Sequence, residues 1–326
     1  MKMQLLLLIS ILLLIPTGCS RIPQESEESG DSSDASTNES APETTLPTET
    51  PPDWASVNDF LYQLQGERPD RIGETAFDLL VLSISSAGNS SDRIPVLKHS
   101  PGGEKIILCY LSIGQAEEYR FYWQPEWDEE PPAWLEEPDP DWRGDYWVRY
   151  WESGWQEVIF GTPDSYLDRI IELGYDGVYL DRVDAYWYFE EQGRETAARE
   201  MVDFVLALTE YARQKKPGFG VFPQNAEELG IQFPDYLATV TGIGVEDLYY
   251  GYPRDHQASP PEWTTERETI LDTWAAAGKL VLTIDYTSVP EQISDAYDRS
   301  RSRGFIPYVA DRGLGRLRIN PGYEPD

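Results

Sequence analysis

The stretch GYDGVYLDRVDAYW, residues 174–187, decides how this chain is read. Gly174 suits a helix stop, and Val178, Tyr179 and Leu180 form a short β-branched and aromatic run of the kind that fills a buried strand. Asp181 and Asp184 follow at once, three residues apart. A buried strand that ends in carboxylates fits a parallel β/α unit, whose carboxyl end carries chemistry. An Asp there can equally be a helix N-cap or an Asx-turn former, and Asp184 suits that role or that of a partner to Arg182 or Asp181.

Working outward, the same alternation recurs. Strand candidates are 77–84, 105–113, 147–150 or 158–160, 177–180, 220–223, 242–245, 280–284 and 305–309. Helical patterns lie between them. Pro163 to Leu173 places Tyr166, Leu167, Ile170 and Ile171 on one face. Glu195 to Lys215 repeats Met201, Val202, Val205, Leu208 and Tyr211 at helical spacing, and Thr265 to Ala277 is stopped by Gly278. Eight such alternations, without a Gly-x-Gly-x-x-Gly phosphate turn, predict a single (β/α)8 TIM barrel of the α/β class, with an open doubly wound sheet as the rival.

In a barrel the loops at the carboxyl ends of the strands form the active face. Those positions hold Gln115, Glu117, Glu118 and Arg120; Asp181, Arg182 and Asp184; Gln224, Asn225 and Glu227; Glu246 and Asp247; Asp285 and Tyr286; and Asp311 and Arg312. Acids recur at nearly every mouth. Glu is a poor helix cap, so Glu246 in GIGVEDLYY points to chemistry more strongly than an Asp would, and strand alternation turns it, rather than Asp247, inward.

Three segments follow from composition. Residues 1–19 carry Lys2, an apolar run from Leu5 to Ile15 and the ending Gly18-Cys19-Ser20, which matches a bacterial lipoprotein signal with Cys19 as the lipidated residue. Pro16 stands where such signals usually have Leu, so ordinary secretory cleavage is the alternative. Residues 20–53 are an acidic Ser/Thr/Pro linker too poor in apolar side chains to fold, and 54–326 form the catalytic-type domain. The expected location is the bacterial cell envelope, lipid-anchored at the outer membrane or cell surface, or secreted.

The formal net charge of −32 argues against nucleic acid as a partner. It fits either a soluble surface or a cleft that attracts cations. With Cys19 used by the signal, Cys109 stands alone in an apolar run, and His99 and His256 both fall in polar stretches. A disulfide framework, a Ser-His-Asp triad and a His-rich zinc site are thereby disfavoured, so no metal or cofactor is expected. Seven of the eleven tryptophans lie between Trp123 and Trp155, among several prolines. That segment reads as a long lid-like insertion whose rings either stack on sugars or pack into a local core. A cleft of acids walled by aromatics fits glycoside hydrolysis, in which one carboxylic acid protonates the leaving oxygen and a second carboxylate acts as nucleophile or base.

The motifs ILCYLSIGQAEEYR, WQEVIF, LGYDGVYLDRVDAY, GIGVEDLYYG and GFIPYVADRGLGRL together resemble glycoside hydrolase family 114, the endo-α-1,4-polygalactosaminidase-like TIM barrels, along essentially all of 54–326. The hydrolase domain of the Pel polysaccharide-processing protein is similar in the same regions. The resemblance implies an endo-acting hydrolase of α-1,4-linked, galactosamine-rich and therefore cationic polysaccharide; separately, a monomer is expected. It places the family's aspartate on Asp181, as nucleophile, and its glutamate on Glu246, as general acid/base, with the roles interchangeable at this stage. It makes Glu117, Tyr119 and Arg120 a bracing or lining motif, and Asp184, Tyr186, Asn225, Asp285 and Tyr308 candidate subsite residues. One departure is visible: where the family commonly has an acid after its first strand, this chain has LVLSISS, with Ser83 and Ser85. The competing class is a non-catalytic carbohydrate-binding lipoprotein on the same barrel. It would gain if Asp181 or Glu246 were sealed in a salt bridge with Arg182 or Arg254.

Overall fold

The computed structural model describes residues 50–84 and 93–326. Cys19, the leader, most of the linker and Ser85 lie outside the described residues. Eight parallel strands form the centre: β1 Phe60–Gln63, β2 Leu79–Leu82, β3 Ile106–Ser112, β4 Gly177–Asp181, β5 Gly220–Pro223, β6 Gly242–Glu246, β7 Leu280–Tyr286 and β8 Ile306–Ala310. β1 through β5 pair in chain order, as do β6 through β8. The two arcs are joined by a bridge between Gln224 and Gly244 and by the Thr241 N–H donating to the Val221 carbonyl at 2.9 Å. β8 lies beside β1, which closes a (β/α)8 barrel.

Two features of the strand pattern differ from expectation. The first stave is Phe60–Gln63, a run of only four residues that lacks a long apolar signature, so the run at 77–84 is the second stave. The sequence departure at Ser83 therefore belongs to β2. In turn, the candidates at 147–150 and 158–160 are not staves. Asp145–Val148 pairs antiparallel with Gln115–Glu117 and Leu135–Pro138, and Val158 lies in the helix Ser153–Ile159. These aromatic-rich segments have strand propensity but find their partners within the insertion between β3 and β4.

That insertion is a packed lid. Trp123, Trp127, Trp134 and Trp155 form a continuous chain of ring contacts with centroids 5.0–5.2 Å apart, the local-core outcome for these four rings. Trp147 is stacked between Tyr188, 4.4 Å away, and the Arg182 guanidinium, whereas Trp142 stays exposed.

The helices run close to the expected spans, at Tyr166–Glu172, Ala197–Lys215 and Pro261–Ala276. The last starts earlier than the apolar pattern suggests because Pro261 sits at the first-turn position, where its missing N–H costs nothing.

The barrel interior is unusually rich in tyrosine. Tyr62 and Tyr179 are buried with their rings 5.1 Å apart, and Tyr286 is buried beside them at the end of β7. Glycines make the room. A Cβ on Gly244 would lie 1.8 Å from the Tyr179 hydroxyl, and one on Gly242 would lie 2.4 Å from the Phe222 ring. Gly244→Ala is therefore expected to destabilise the fold by ~2 kcal/mol through overpacking, read as a lowered denaturant midpoint; an unchanged midpoint would show that the tyrosine floor can yield.

Candidate active site

Parallel register sets the heights of the functional side chains. Ser112 pairs with Asp181, and Gln224 follows Pro223, the partner of Leu180, so the ends of β3, β4 and β5 are level. Each of the strands β4, β5 and β6 is then followed by a non-glycine residue in the left-handed region: Arg182 at φ 59°, Asn225 at 58° and Asp247 at 57°. Such a conformation costs roughly 1 kcal/mol per residue and tends to collect at functional sites. Here it turns the chain sharply away after Asp181, Gln224 and Glu246.

The Gln224 side-chain amide joins the two acids. Its Nε2 donates to Asp181 Oδ1 at 3.0 Å and to Glu246 Oε2 at 2.7 Å. The Tyr62 hydroxyl donates to Gln224 Oε1 at 3.0 Å, and the two carboxylates, which only accept when ionised, set which end of the amide is the nitrogen. The two N–H bonds of one amide diverge by about 120°, so the bridged carboxylate oxygens stand about 5 Å apart.

Asp181 receives three donors. Besides Gln224, the Tyr110 hydroxyl donates to Oδ2 at 2.5 Å and the Arg182 N–H to Oδ1 at 2.8 Å. Burial pushes its carboxyl up, and neighbouring Arg182 and the Tyr110 bond oppose that push. Glu246 accepts from Gln224, from Asn225 Nδ2 at 3.3 Å and from the Tyr286 hydroxyl, while its own N–H donates to Asn225 Oδ1 at 3.0 Å. Burial, then the charges of Asp247 and Asp181, lift Glu246 to about 7. Both side chains keep a partial opening to solvent.

Neither acid is sealed by an arginine. Arg182 pairs its guanidinium with the buried Asp139 at 2.9 Å, and Asp139 also accepts from Gln115 at 2.5 Å, which ties the lid to the end of β4. Asp247 is turned away from the pair into a two-point bond with Arg312, at 2.8 and 3.2 Å, so Glu246 is the acid of that tandem facing the pair.

The remaining expected residues divide into two groups. Glu117 is buried and grips Arg120 at 2.6 and 3.0 Å, and accepts from the Tyr119 hydroxyl. Arg120 lies over the Tyr110 ring and reaches Ser83 Oγ at 3.0 Å, so this motif braces the tyrosine that holds Asp181. Asn225 belongs to the pair itself, and Asp184 stands partly exposed beside Arg182. Tyr186 donates to Glu228, whose carboxyl burial lifts to about 7.

The structure does not bring Asp285 or Tyr308 to the pair. Asp285 is buried and accepts the Tyr249 and Tyr250 N–H groups, each at 2.7 Å, which pins the loop after β6. Tyr308 packs its ring on Phe60 and Phe77 and directs its hydroxyl to the Arg318 carbonyl.

Sequence reasoning missed Tyr62, Tyr110 and the lid acids Asp139 and Asp145, and it gave Gln224 and Tyr286 no role. For Tyr286 the signal was present: period-two alternation along β7 sets Leu282, Ile284 and Tyr286 on the face opposite Asp285. For Asp145 nothing along the chain was diagnostic. Its carboxyl is lifted to about 8, first by burial and then by Glu117.

A (β/α)8 barrel that converges two carboxylates at its open end is the arrangement that hydrolysis of glycosidic bonds calls for. The chain belongs to glycoside-hydrolase family GH114, whose sequence model matches residues 39–324. An uncharacterised protein of Methanocaldococcus jannaschii is 39% identical over 278 residues, covering 79% of this chain and 77% of its own. One of Deinococcus radiodurans is 36% identical over 324 residues, covering 96% and 98%. Among solved structures, the glycoside hydrolase domain of PelA from Pseudomonas aeruginosa has the same fold, with a TM-score of 0.62 at 21% identity over 80% of this chain and 98% of that domain.

Proposed function

We propose that this glycoside hydrolase is an endo-enzyme that cuts α-1,4 linkages in cationic, galactosamine-containing polysaccharide at the bacterial cell envelope, tethered through Cys19. The observation that carries the chemistry is the Gln224 amide shared between Asp181 and Glu246. A spacing of about 5 Å between the bridged oxygens suits double displacement, for which carboxyl separations run about 5–5.5 Å. In the first step the Asp181 carboxylate bonds to the anomeric carbon, the glycosidic C–O bond breaks, and the Glu246 proton passes to the departing oxygen. In the second, Glu246 takes a proton from water, the hydroxide bonds to the anomeric carbon, and Asp181 leaves as carboxylate.

Support for a cationic polymer is electrostatic. The chain carries −32 overall, and Asp145, Asp184 and Glu228 stand near the pair or its flanking loops with their carboxyls pushed up by burial. A bound ammonium would stabilise the ionised form of each. The test is incubation with α-1,4-galactosaminan at graded degrees of N-acetylation, with a neutral α-1,4-glucan as control. Fragments should form fastest from the partly deacetylated polymer, shorten progressively as internal cuts require, and form more slowly in high salt. Equal cleavage of the glucan, or monosaccharide release from chain ends, would overturn the substrate reading. Retention of Cys19→Ala in the membrane fraction would overturn the tether.

A further inference from the structure

We propose that Gln224, held by Tyr62, is a positioning residue that spaces Asp181 and Glu246 and steadies both carboxylates. The inference rests on the double-displacement reading above and adds the device that enforces it.

Gln224 is 4% exposed and Tyr62 1%. The Gln224 backbone N–H is itself fixed on the Leu180 carbonyl at 2.7 Å. Turning the amide over would aim its oxygen at two carboxylates, so the donor is held with one hydrogen for each acid, and the Tyr62 hydroxyl satisfies the oxygen at its other end. Among the described residues it is the side chain that hydrogen-bonds to both.

Asp181 and Glu246 each accept two N–H donors on one oxygen and a tyrosine hydroxyl on the other, so these bonds steady both anions alike. On Glu246, Oε2 accepts from Gln224 and Asn225, so when this acid is protonated the hydrogen sits on Oε1 and the Tyr286 hydroxyl turns to accept it. The charged and titratable groups around Asp181 are Arg182, Asp184, Asp145, Tyr110, Tyr62, Tyr179 and Glu246. Those around Glu246 are Asp247, Arg312, Tyr286, Tyr62 and Tyr179, together with Asp181 itself. Arg267 reaches the Glu246 carbonyl, at 2.7 Å.

Gln224→Met keeps the size of the side chain and removes both N–H donors. In the full chain it should lower kcat about 100-fold with little change in KM, and move both limbs of the pH profile upward by about one unit, because each anion loses a donor. Tyr62→Phe, which leaves the amide but removes the partner of its oxygen and loosens its hold, should shift the limbs the same way with about a tenfold loss. A second readout needs no substrate: the Glu246 carboxyl, followed by carbon-13 NMR and assigned by its disappearance in Glu246→Gln, should titrate higher in both variants. A loss of kcat with unmoved limbs and an unmoved Glu246 titration would reduce Gln224 to packing and overturn the proposal. A shifted titration in a chain that cleaves no polymer would leave the positioning role standing and remove the substrate reading. If Gln224→Met fails to fold, Tyr62→Phe decides the matter by the same two measurements.

Discussion

Asp181→Asn is expected to lower kcat roughly ten-thousand-fold, since the amide is too weak a nucleophile to form the glycosyl intermediate. Its three donors would largely remain, because Asn keeps one carbonyl oxygen, so polymer binding should persist. The shorter Asp181→Gly should accept azide in the vacated space and return a glycosyl azide of the opposite anomeric configuration. Glu246→Gln should differ in kind. Loss of the proton donor costs about a hundred- to ten-thousand-fold, and least for substrates whose leaving group needs no proton, such as a nitrophenyl glycoside. Measuring both variants on polymer and on activated glycoside separates the roles. Azide rescue of Glu246→Gly in place of Asp181→Gly would exchange them.

The second large effect concerns stability. Glu246 is lifted from 4.5 to about 7, first by burial and then by Asp247 and Asp181, so the folded state resists its ionisation. For an acid raised in this way the favourable contribution is complete below the unfolded value and is lost as pH rises through the folded one. Glu246→Gln, which cannot ionise, should therefore match the native chain near pH 4 and exceed it by roughly 3 kcal/mol at pH 8. Chemical denaturation at the two pH values checks this, and equal differences at both would mean that Glu246 ionises freely. Asp285, lifted to about 7, and Asp145, to about 8, act in the same direction, so the native protein should itself lose stability between pH 5 and 8.

How far the site could be read along the chain differs by residue. Asp181 and Glu246 were legible because each ends an apolar run at a height where a barrel presents chemistry. Glu117, Tyr119 and Arg120 were visible only as a motif; that Arg120 lies over Tyr110 and so acts through Asp181 depends on a ring two strand positions before Ser112. Asp285 looked equivalent to Asp181 as an acid near the end of its strand. The pleat decides otherwise, sending Tyr286 to Glu246 and Asp285 to the backbone of the loop after β6.

The first stave shows the same limit. Phe60–Gln63 is too short to announce itself, yet it supplies Tyr62, whose hydroxyl satisfies the oxygen of the Gln224 amide.

Period, composition and turn residues are properties of neighbours along the chain, and they were enough to determine the β/α alternation, the barrel class and the two acids worth naming. Barrel closure decided the rest. Gln224 meets Asp181 and Glu246 across sequence separations of 43 and 22 residues, and Tyr62 meets Gln224 across 162. Contacts at such separations are set by strand register and by which side chains the glycine-lined interior admits. The spacing of the acids, the tyrosine on each and the amide between them therefore exist only once the cylinder is closed.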